Sequence, residues 1–99
     1  MKVFISASAE QDLLDGFEFY EVQQANLGWY FLDSLYSDID SLELFAGIHP
    51  KRFGDLYWTT SKRFPFSIYY RLADDTATVM AVLDSRQNPV KTRSRLTPE

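Results

Sequence analysis

The sequence contains no cysteine and a single histidine, His49. Without cysteine, the chain has no disulfide, no thiol nucleophile and no cysteine-based metal site. No apolar run approaches the roughly 18 residues that a membrane-spanning helix needs. The first residues, Met1–Ser6, lack the hydrophobic core of a secretory signal. We therefore expect a soluble, cytoplasmic protein without a membrane partner.

What the chain does contain is apolar and unevenly charged. Of its 99 residues, 45% are apolar and 16% aromatic, which is too hydrophobic for a disordered chain. This length predicts a single domain over residues 1–99. Residues 1–50 hold nine acids and one base, whereas residues 51–99 hold five acids and nine bases. The net charge of −4 disfavours non-specific nucleic-acid binding, although the second half has enough positive charge for a local patch.

The first half of the chain predicts a strand followed by two helices. Lys2–Ile5 has strand composition, and Ser8–Gln11 fits a capping box that would start a helix near Ser8. After a break at Asn26–Gly28, a second helix is predicted over about Trp29–Phe45, because its apolar residues form a stripe that suits packing on the first helix. The acidic residues of the first helix are expected to face water: Asp12, Asp15, Glu18 and Glu21.

The second half predicts three antiparallel strands joined by short turns, at Leu56–Thr60, Phe64–Leu72 and Thr76–Asp84. Together the two halves define an α+β fold, in which an N-terminal strand and an antiparallel helical hairpin pack on an antiparallel β-meander. A polar, basic tail over about 87–99 is expected to fray unless a partner orders it.

Both faces of the last predicted strand are apolar. Strict alternation places Met80 and Val82 on one face and Val79, Ala81 and Leu83 on the other. Because a strand with two apolar faces is normally covered on both, we expect a partner segment or another element over the Met80 face.

Basic residues mark the open end of the last hairpin. Arg63 precedes the second strand of the meander and Arg86 follows the third, so their guanidinium groups are expected to meet at one sheet edge. A guanidinium can hold two phosphate oxygens at once. As a structural alternative, Arg63 forms an ion pair with Asp84. Three further cations can form the rim of a nucleic-acid or partner-binding patch: Lys51, Arg52 and Lys62.

Other candidate residues have ordinary structural explanations. His49 precedes a proline in the basic loop His49–Gly54 and is expected at the surface rather than as a catalytic base. Tyr69 and Tyr70 are expected to pack rather than to donate protons. No metal site is expected from the helix carboxylates, and no cofactor motif is present.

The order of these elements, with the segment Arg63–Leu72, resembles the RelE/ParE superfamily of toxins from bacterial type II toxin–antitoxin modules, in particular its ParE-like plasmid stabilisation members. The resemblance implies growth inhibition, no cofactor and a cognate antitoxin that neutralises the toxin. ParE-like members poison DNA gyrase, whereas RelE-like members cut mRNA in the ribosomal A site. The matching fragments are Ala9–Leu13, Phe19–Glu21, Leu27–Gly28, Phe31–Leu32, Arg63–Phe66, Tyr69–Tyr70 and Val82–Arg86.

The resemblance favours a binding toxin over an enzyme. Arg63 and Arg86 match the family's basic positions and would be catalytic in a nuclease. Cleavage of RNA without a metal also needs a base and an acid. Where many relatives carry histidine at the end of the last strand, this chain has Asp84, a poor proton donor at neutral pH. The predicted binding residues are Lys51, Arg52, Lys62, Arg63, Met80, Val82, Asp84 and Arg86.

Three functions remain open at this point. The favoured one is a ParE-like toxin directed at DNA gyrase. The alternatives are a RelE-like, ribosome-dependent mRNA endoribonuclease and a degenerate member that only binds its antitoxin. The expected assemblies are a homodimer or a toxin–antitoxin hetero-oligomer.

Overall fold

The structure, a computed structural model, describes residues 1–97 and has a five-stranded sheet and four helices within that range. The strands lie in the order β1-β5-β4-β3-β2, with β1 parallel to β5 and the other neighbours antiparallel. This is the α+β architecture predicted from the sequence. No helix in this range is long and apolar enough to cross a membrane. In chain order the elements are β1 (Lys2–Ile5), α1 (Ala7–Gln23), α2 (Leu27–Asp40), α3 (Leu42–Phe45), β2 (Lys51–Arg52), β3 (Leu56–Thr60), β4 (Phe66–Ala73), β5 (Thr76–Asp84) and α4 (Pro89–Leu96).

One face of the sheet and the hairpin of α1 and α2 enclose the main hydrophobic core. The fully buried ring of Phe31 contacts those of Tyr20, Phe64 and Phe66 at centroid distances of 5.2, 5.2 and 4.9 Å. Gly16 of α1 permits this approach, because a Cβ there would lie 2.4 Å from Phe31 Cζ. A glycine within a helix costs about 1 kcal/mol, whereas burying a phenylalanine contributes about 1.5–3 kcal/mol. The close packing therefore outweighs the cost of the glycine.

The first helix begins earlier than the sequence predicts. Ser6, not Ser8, is its N-cap, and the Ser6 hydroxyl accepts a hydrogen bond from the backbone N–H of Ala9 at 3.1 Å. The N–H of Ser6 donates to the carbonyl of Val79 at 2.9 Å, as part of the pairing of β1 with β5. Because that pairing holds Ser6 extended, the chain turns directly from strand into helix, and Ser8 already lies in the first turn.

The second predicted helix is divided into two. α2 begins at Leu27, two residues before the predicted start, and ends at Asp40, after which α3 forms a separate short turn. The hydroxyl of Ser41 donates to the carbonyl of Asp38 at 2.6 Å. A serine that bonds to nearby backbone competes with regular helix hydrogen bonding, which explains the interruption.

Two of the four acids predicted to face water have structural roles instead. Glu21 accepts hydrogen bonds from the backbone N–H groups of Asn26 and Gly28, both at 2.9 Å, and so caps the start of α2. Asp12 accepts the backbone N–H of Val82 at 2.9 Å and joins α1 to β5. The prediction of a fully solvated acidic face is therefore wrong for these two residues.

The predicted meander is present, with one further strand. β3 and β5 have the predicted bounds, whereas β4 begins at Phe66, because the Phe66 N–H closes a turn on the Phe64 carbonyl at 2.8 Å. The sequence missed β2, which lies in the predicted loop and pairs with the start of β3. Two residues are too short a run to give a strand pattern.

β5 contains a β-bulge at Met80. The pairing between β4 and β5 shifts register after Tyr69, whose partner is Ala81, and Met80 is left without a partner in the ladder. An extra residue reverses the alternation of side chains, so Val82 points into the main core and is only 1% exposed. The prediction that Met80 and Val82 share an uncovered face is therefore wrong.

The basic tail forms a helix rather than fraying. Asn88 Oδ1 accepts the N–H of Val90 at 2.8 Å, and Pro89 occupies the first turn. Both features are typical of a helix start. The predicted fraying is wrong for residues 89–96, while residues 98 and 99 of the predicted tail lie outside the described residues.

α4 is attached to the body of the protein at its C-terminal end. Both terminal nitrogens of Arg95 donate to the carboxylate of Asp12, at 2.9 and 2.8 Å. Leu96 packs against the second sheet face, which includes Tyr69 and Ala81. The helix α4 thus covers part of the second sheet face, which the sequence analysis expected another element or a partner to cover.

Candidate functional site

A cleft of about 300 Å³ opens on the sheet face opposite the helical hairpin. We call it the sheet cleft. Two predicted binding residues line it, Arg52 and Asp84, and among residues 1–97 they are its only charged side chains. The cleft is therefore not strongly basic. Its lining consists of Arg52, Phe53, Trp58, Thr60, Ser67, Tyr69, Asp84, Ser85, Gln87, Pro89 and Thr92.

Arginine and aromatic side chains stack along one wall of the sheet cleft. Arg52 Cζ lies 5.1 Å from the ring centroid of Trp58 and 5.5 Å from that of Phe53. Arg93 of α4 contacts Phe53 as well, at 5.8 Å. Phe53 adopts a left-handed backbone conformation with φ of 54°, which is strained for a bulky residue. This wall offers flat, cationic surface on which a base or a planar side chain can stack.

Sequence reasoning did not identify the aromatic part of this wall. A signal for it was present, because alternation along β3 places Trp58 on the face opposite Tyr57. The two-residue strand β2 then brings Arg52 opposite Leu56, next to Trp58. That pairing has no signature in the sequence.

A bidentate ion pair joins Asp84, the last residue of β5, to Arg86. Arg86 Nη2 donates to Asp84 Oδ2 at 2.8 Å and Nε donates to Oδ1 at 3.1 Å. The backbone N–H of Arg86 also donates to Oδ1, at 2.8 Å. The side-chain hydrogen bond from Arg86 lowers the pKa of Asp84, and partial burial opposes this only in part. Asp84 is therefore a carboxylate at neutral pH.

The predicted partner of Asp84 was a different arginine. Arg63 lies against α2, with its Cζ 5.9 Å from the ring centroid of Tyr30. Within the described residues Asp84 forms an ion pair with Arg86 and none with Arg63, so the predicted ion pair between Arg63 and Asp84 is wrong. The two arginines thus contact different parts of the protein.

The turn between β3 and β4 is fastened to α2. Asp38 Oδ2 accepts hydrogen bonds from the hydroxyl of Ser61 at 2.7 Å and from the backbone N–H of Lys62 at 3.3 Å. This attachment places Lys62 and Arg63 along one side of α2. These two predicted binding residues therefore lie together, but they are not part of the sheet cleft.

The remaining predicted binding residues are dispersed. Lys51 Nζ lies 5.0 Å from the ring centroid of Tyr57, at the edge of the sheet. Met80 lines a separate cavity of about 310 Å³ near the end of α4, together with Arg71. Val82 is buried in the core. The structure thus brings Arg52 together with Asp84, and Lys62 with Arg63.

His49 contacts Tyr70 rather than lying free at the surface. The hydroxyl oxygen of Tyr70 lies 2.6 Å from His49 Nδ1 and accepts the backbone N–H of Gly47 at 2.8 Å. With the Tyr70 oxygen accepting from Gly47, its hydroxyl proton is available to a neutral His49 Nδ1. Burial raises the pKa of Tyr70 and lowers the pKa of His49. Tyr70 itself is fully buried, which confirms the prediction that it packs.

We expect the His49–Tyr70 contact to make stability depend on pH. Because the folded state lowers the pKa of His49, the unfolded chain binds the proton more readily below pH 6.5. This contribution to stability is present above pH 6.5 and is lost as the pH falls through the lowered pKa of the folded state. Denaturant unfolding at pH 7 and pH 5 should show it.

The variant His49→Gln is the control, because glutamine can accept the Tyr70 proton but does not titrate. His49 is the only histidine, so no other imidazole contributes to the difference between the two proteins. We expect a smaller loss of unfolding free energy between pH 7 and pH 5 in the variant. Equal losses in both proteins would contradict this role for His49.

Comparisons with known proteins agree on the fold. A chain of the chromosomal ParDE toxin–antitoxin system from P. aeruginosa is similar, with a TM-score of 0.79 and 17% identity over 85% of this chain and 95% of that chain. The isolated RelE toxin from E. coli is similar with a TM-score of 0.62 and 12% identity, over 94% of this chain and 93% of that one. No protein-family model and no curated protein matches the sequence. The chain therefore has the RelE/ParE-type fold that the resemblance implied.

Proposed function

We propose that this protein is the toxin of a bacterial type II toxin–antitoxin module and that it acts in the cytoplasm by binding DNA gyrase. The fold supports the proposal, since the chain is more similar to the chain of the ParDE system than to RelE, with TM-scores of 0.79 and 0.62. A fold alone does not determine a target. The choice of target therefore rests on the site.

The ion pair between Asp84 and Arg86 is the observation that carries the proposal. Cleavage of RNA without a metal needs a base for the 2′-hydroxyl, a cation at the phosphorane and an acid for the leaving oxygen. Arg86 keeps Asp84 ionised, so Asp84 has no proton to donate at neutral pH. Its negative charge also repels a phosphate. Binding of a protein target requires none of these groups.

The single histidine does not replace the missing acid. His49 Nδ1 contacts Tyr70, whose ring belongs to the core on the helical side of the sheet. His49 does not line the sheet cleft. Arg86 is 62% exposed, so it remains accessible to a protein partner while it is bonded to Asp84.

A ribosome-dependent endoribonuclease is the second candidate. The stack of Arg52 on the rings of Phe53 and Trp58 favours it, because aromatic and guanidinium planes commonly stack with bases of single-stranded RNA. This stack would serve binding, but it supplies neither an acid nor a base. A degenerate member that binds only its antitoxin is the third candidate.

We further propose that a cognate antitoxin covers the sheet face around Met80. The cavity there combines the apolar side chains of Leu56, Met80 and Leu96 with the cation Arg71, while its second cation, Arg95, is already bound to Asp12. An acidic, amphipathic segment has the complementary chemistry, and such a segment commonly folds as it binds. Val82 is not part of this surface, because it is buried. The assembly would be a toxin–antitoxin hetero-oligomer.

Expression in a bacterial host tests the toxin proposal. We expect the protein alone to stop growth, and co-expression with the adjacent reading frame to restore growth and to yield a stable complex on size-exclusion chromatography. Binding of the partner should raise the melting temperature, because a ligand of the native state stabilises it. A chain that neither inhibits growth nor binds the neighbouring product would overturn the proposal.

Primer extension on an actively translated message tests the nuclease alternative. General acid catalysis is typically worth about 10²–10⁴-fold in rate, so we expect no measurable cleavage by the wild-type protein. Cleavage products positioned at codons would establish the endoribonuclease instead. The variant Asp84→His provides a control, because a gain of cleavage would show that this one residue had removed the activity.

A further inference from the structure

A small cavity lies between α2 and the turn that joins β3 to β4, apart from the sheet cleft. Its volume is about 130 Å³, and we call it the turn cavity. α2 contributes one face, because residues three and four apart on a helix are neighbours. The turn contributes two cations. The lining residues are Ser34, Ser37, Asp38, Lys62 and Arg63.

The unpaired hydroxyl of Ser34 indicates that the turn cavity can bind a ligand. The residue is only 5% exposed, and its buried hydroxyl has no hydrogen-bond partner within the described residues. Buried polar groups in native proteins are almost always hydrogen-bonded, because an unpaired one is costly. A hydrogen-bond acceptor in the cavity would satisfy this hydroxyl.

The charges around the turn cavity favour an anion. Lys62 and Arg63 provide two positive charges, and Asp38 provides one negative charge. Asp38 Oδ2 is already occupied, because it accepts hydrogen bonds from the hydroxyl of Ser61 and the N–H of Lys62. Neither cation forms an ion pair within the described residues, so both are available to a ligand.

The geometry points to a binding site for a single phosphate group in the turn cavity. Arg63 supplies a planar pair of donors, Lys62 an ammonium, and Ser34 and Ser37 hydroxyl donors, which together match a tetrahedral oxyanion. The volume corresponds to roughly four water molecules, so the cavity admits one phosphate group but not a sugar or a base. This site is independent of the proposed function.

Two sources of phosphate fit this cavity. One is free inorganic phosphate, and the other is the terminal phosphate of a nucleotide whose base lies outside. Tyr30, 48% exposed and beside Arg63, offers a ring on which such a base can stack. Comparison of inorganic phosphate with AMP distinguishes the two sources.

Isothermal titration calorimetry at matched ionic strength tests the site with three probes: inorganic phosphate, AMP and acetate. We expect saturable binding of phosphate at one site per chain, and binding of acetate weaker by about tenfold or more, because a planar carboxylate offers fewer acceptors. Tighter binding of AMP than of phosphate supports the nucleotide source. Equal binding supports the free ion.

Three variants locate the binding. Arg63→Gln is expected to weaken phosphate binding by about tenfold or more, and Ser34→Ala by about fivefold, since charge-assisted hydrogen bonds are the stronger ones. Lys91→Gln, which removes one exposed positive charge from α4 and lines neither the turn cavity nor the sheet cleft, is the control and should bind as wild type. Thermal melting checks that each variant is folded.

The outcomes that overturn the proposal are specific. They are an absence of saturable phosphate binding to the wild-type protein, acetate binding as tight as phosphate binding, or equal phosphate affinities of the Arg63→Gln and Lys91→Gln variants. Growth inhibition is measured separately, so failure of the phosphate site and failure of the toxin proposal are distinguishable.

Discussion

Replacement of Arg86 by alanine is expected to abolish growth inhibition and to leave the melting temperature nearly unchanged. Arg86 is 62% exposed, and its ion pair with Asp84 lies at the surface, where such pairs contribute little to stability. If Arg86 contacts the target, its removal deletes a guanidinium from the interface, where arginine is often among the residues that dominate affinity. Colony counts after induction, with thermal melting of the purified variant, measure both effects.

Arg71→Ala is the matched control for this experiment. Arg71 is also an exposed arginine on the meander, but it lies near Met80 rather than beside the sheet cleft. We expect this variant to remain toxic. A loss of toxicity in Arg86→Ala that unfolding fully explains would contradict the role of Arg86 in target binding. Toxicity of the Arg86→Ala variant equal to that of the wild type would contradict this role as well.

Asp12→Ala is expected to cause the largest loss of stability among the charged-residue variants, about 2–4 kcal/mol. The side chain of Asp12 is only 10% exposed, and it binds both the N–H of Val82 in the bulged strand and the guanidinium of Arg95. Its removal leaves a backbone donor unpaired and releases α4 from α1. Denaturant unfolding monitored by circular dichroism measures the loss.

Asp15→Ala separates this effect from helix propensity. Asp15 lies on the same helix and is exposed, with one hydrogen bond from Gln11 Nε2 at 2.9 Å. Both substitutions gain the same helix propensity, so the difference between the two variants reports the tertiary contacts of Asp12. Equal free energies of unfolding of the two variants would show that the tertiary contacts of Asp12 contribute nothing to stability.

The fold was largely predictable because hydrophobic periodicity is a local property of the sequence. The spacing of apolar residues in α1 and α2, and the alternation in the meander, gave the elements and the α+β class. The boundaries that failed depend on partners distant in the sequence. Ser6 became the N-cap because its N–H pairs with Val79, and no local motif encodes that contact.

The site was less predictable, because its geometry follows from tertiary details. A single unpaired residue, Met80, reversed the faces of the last part of β5 and moved Val82 into the core. The partner of Asp84 was the arginine two residues later rather than Arg63, whose turn is fastened to α2 by Asp38. The charges of Arg63 and Arg86 and their positions in the sequence do not show which of the two pairs with Asp84.

An in vitro supercoiling assay with purified DNA gyrase tests the central claim most directly. The account predicts that the wild-type protein inhibits gyrase-dependent supercoiling, that Arg71→Ala inhibits equally, and that Arg86→Ala does not inhibit. Undiminished supercoiling in the presence of folded wild-type protein, at concentrations in excess over gyrase, would contradict the claim.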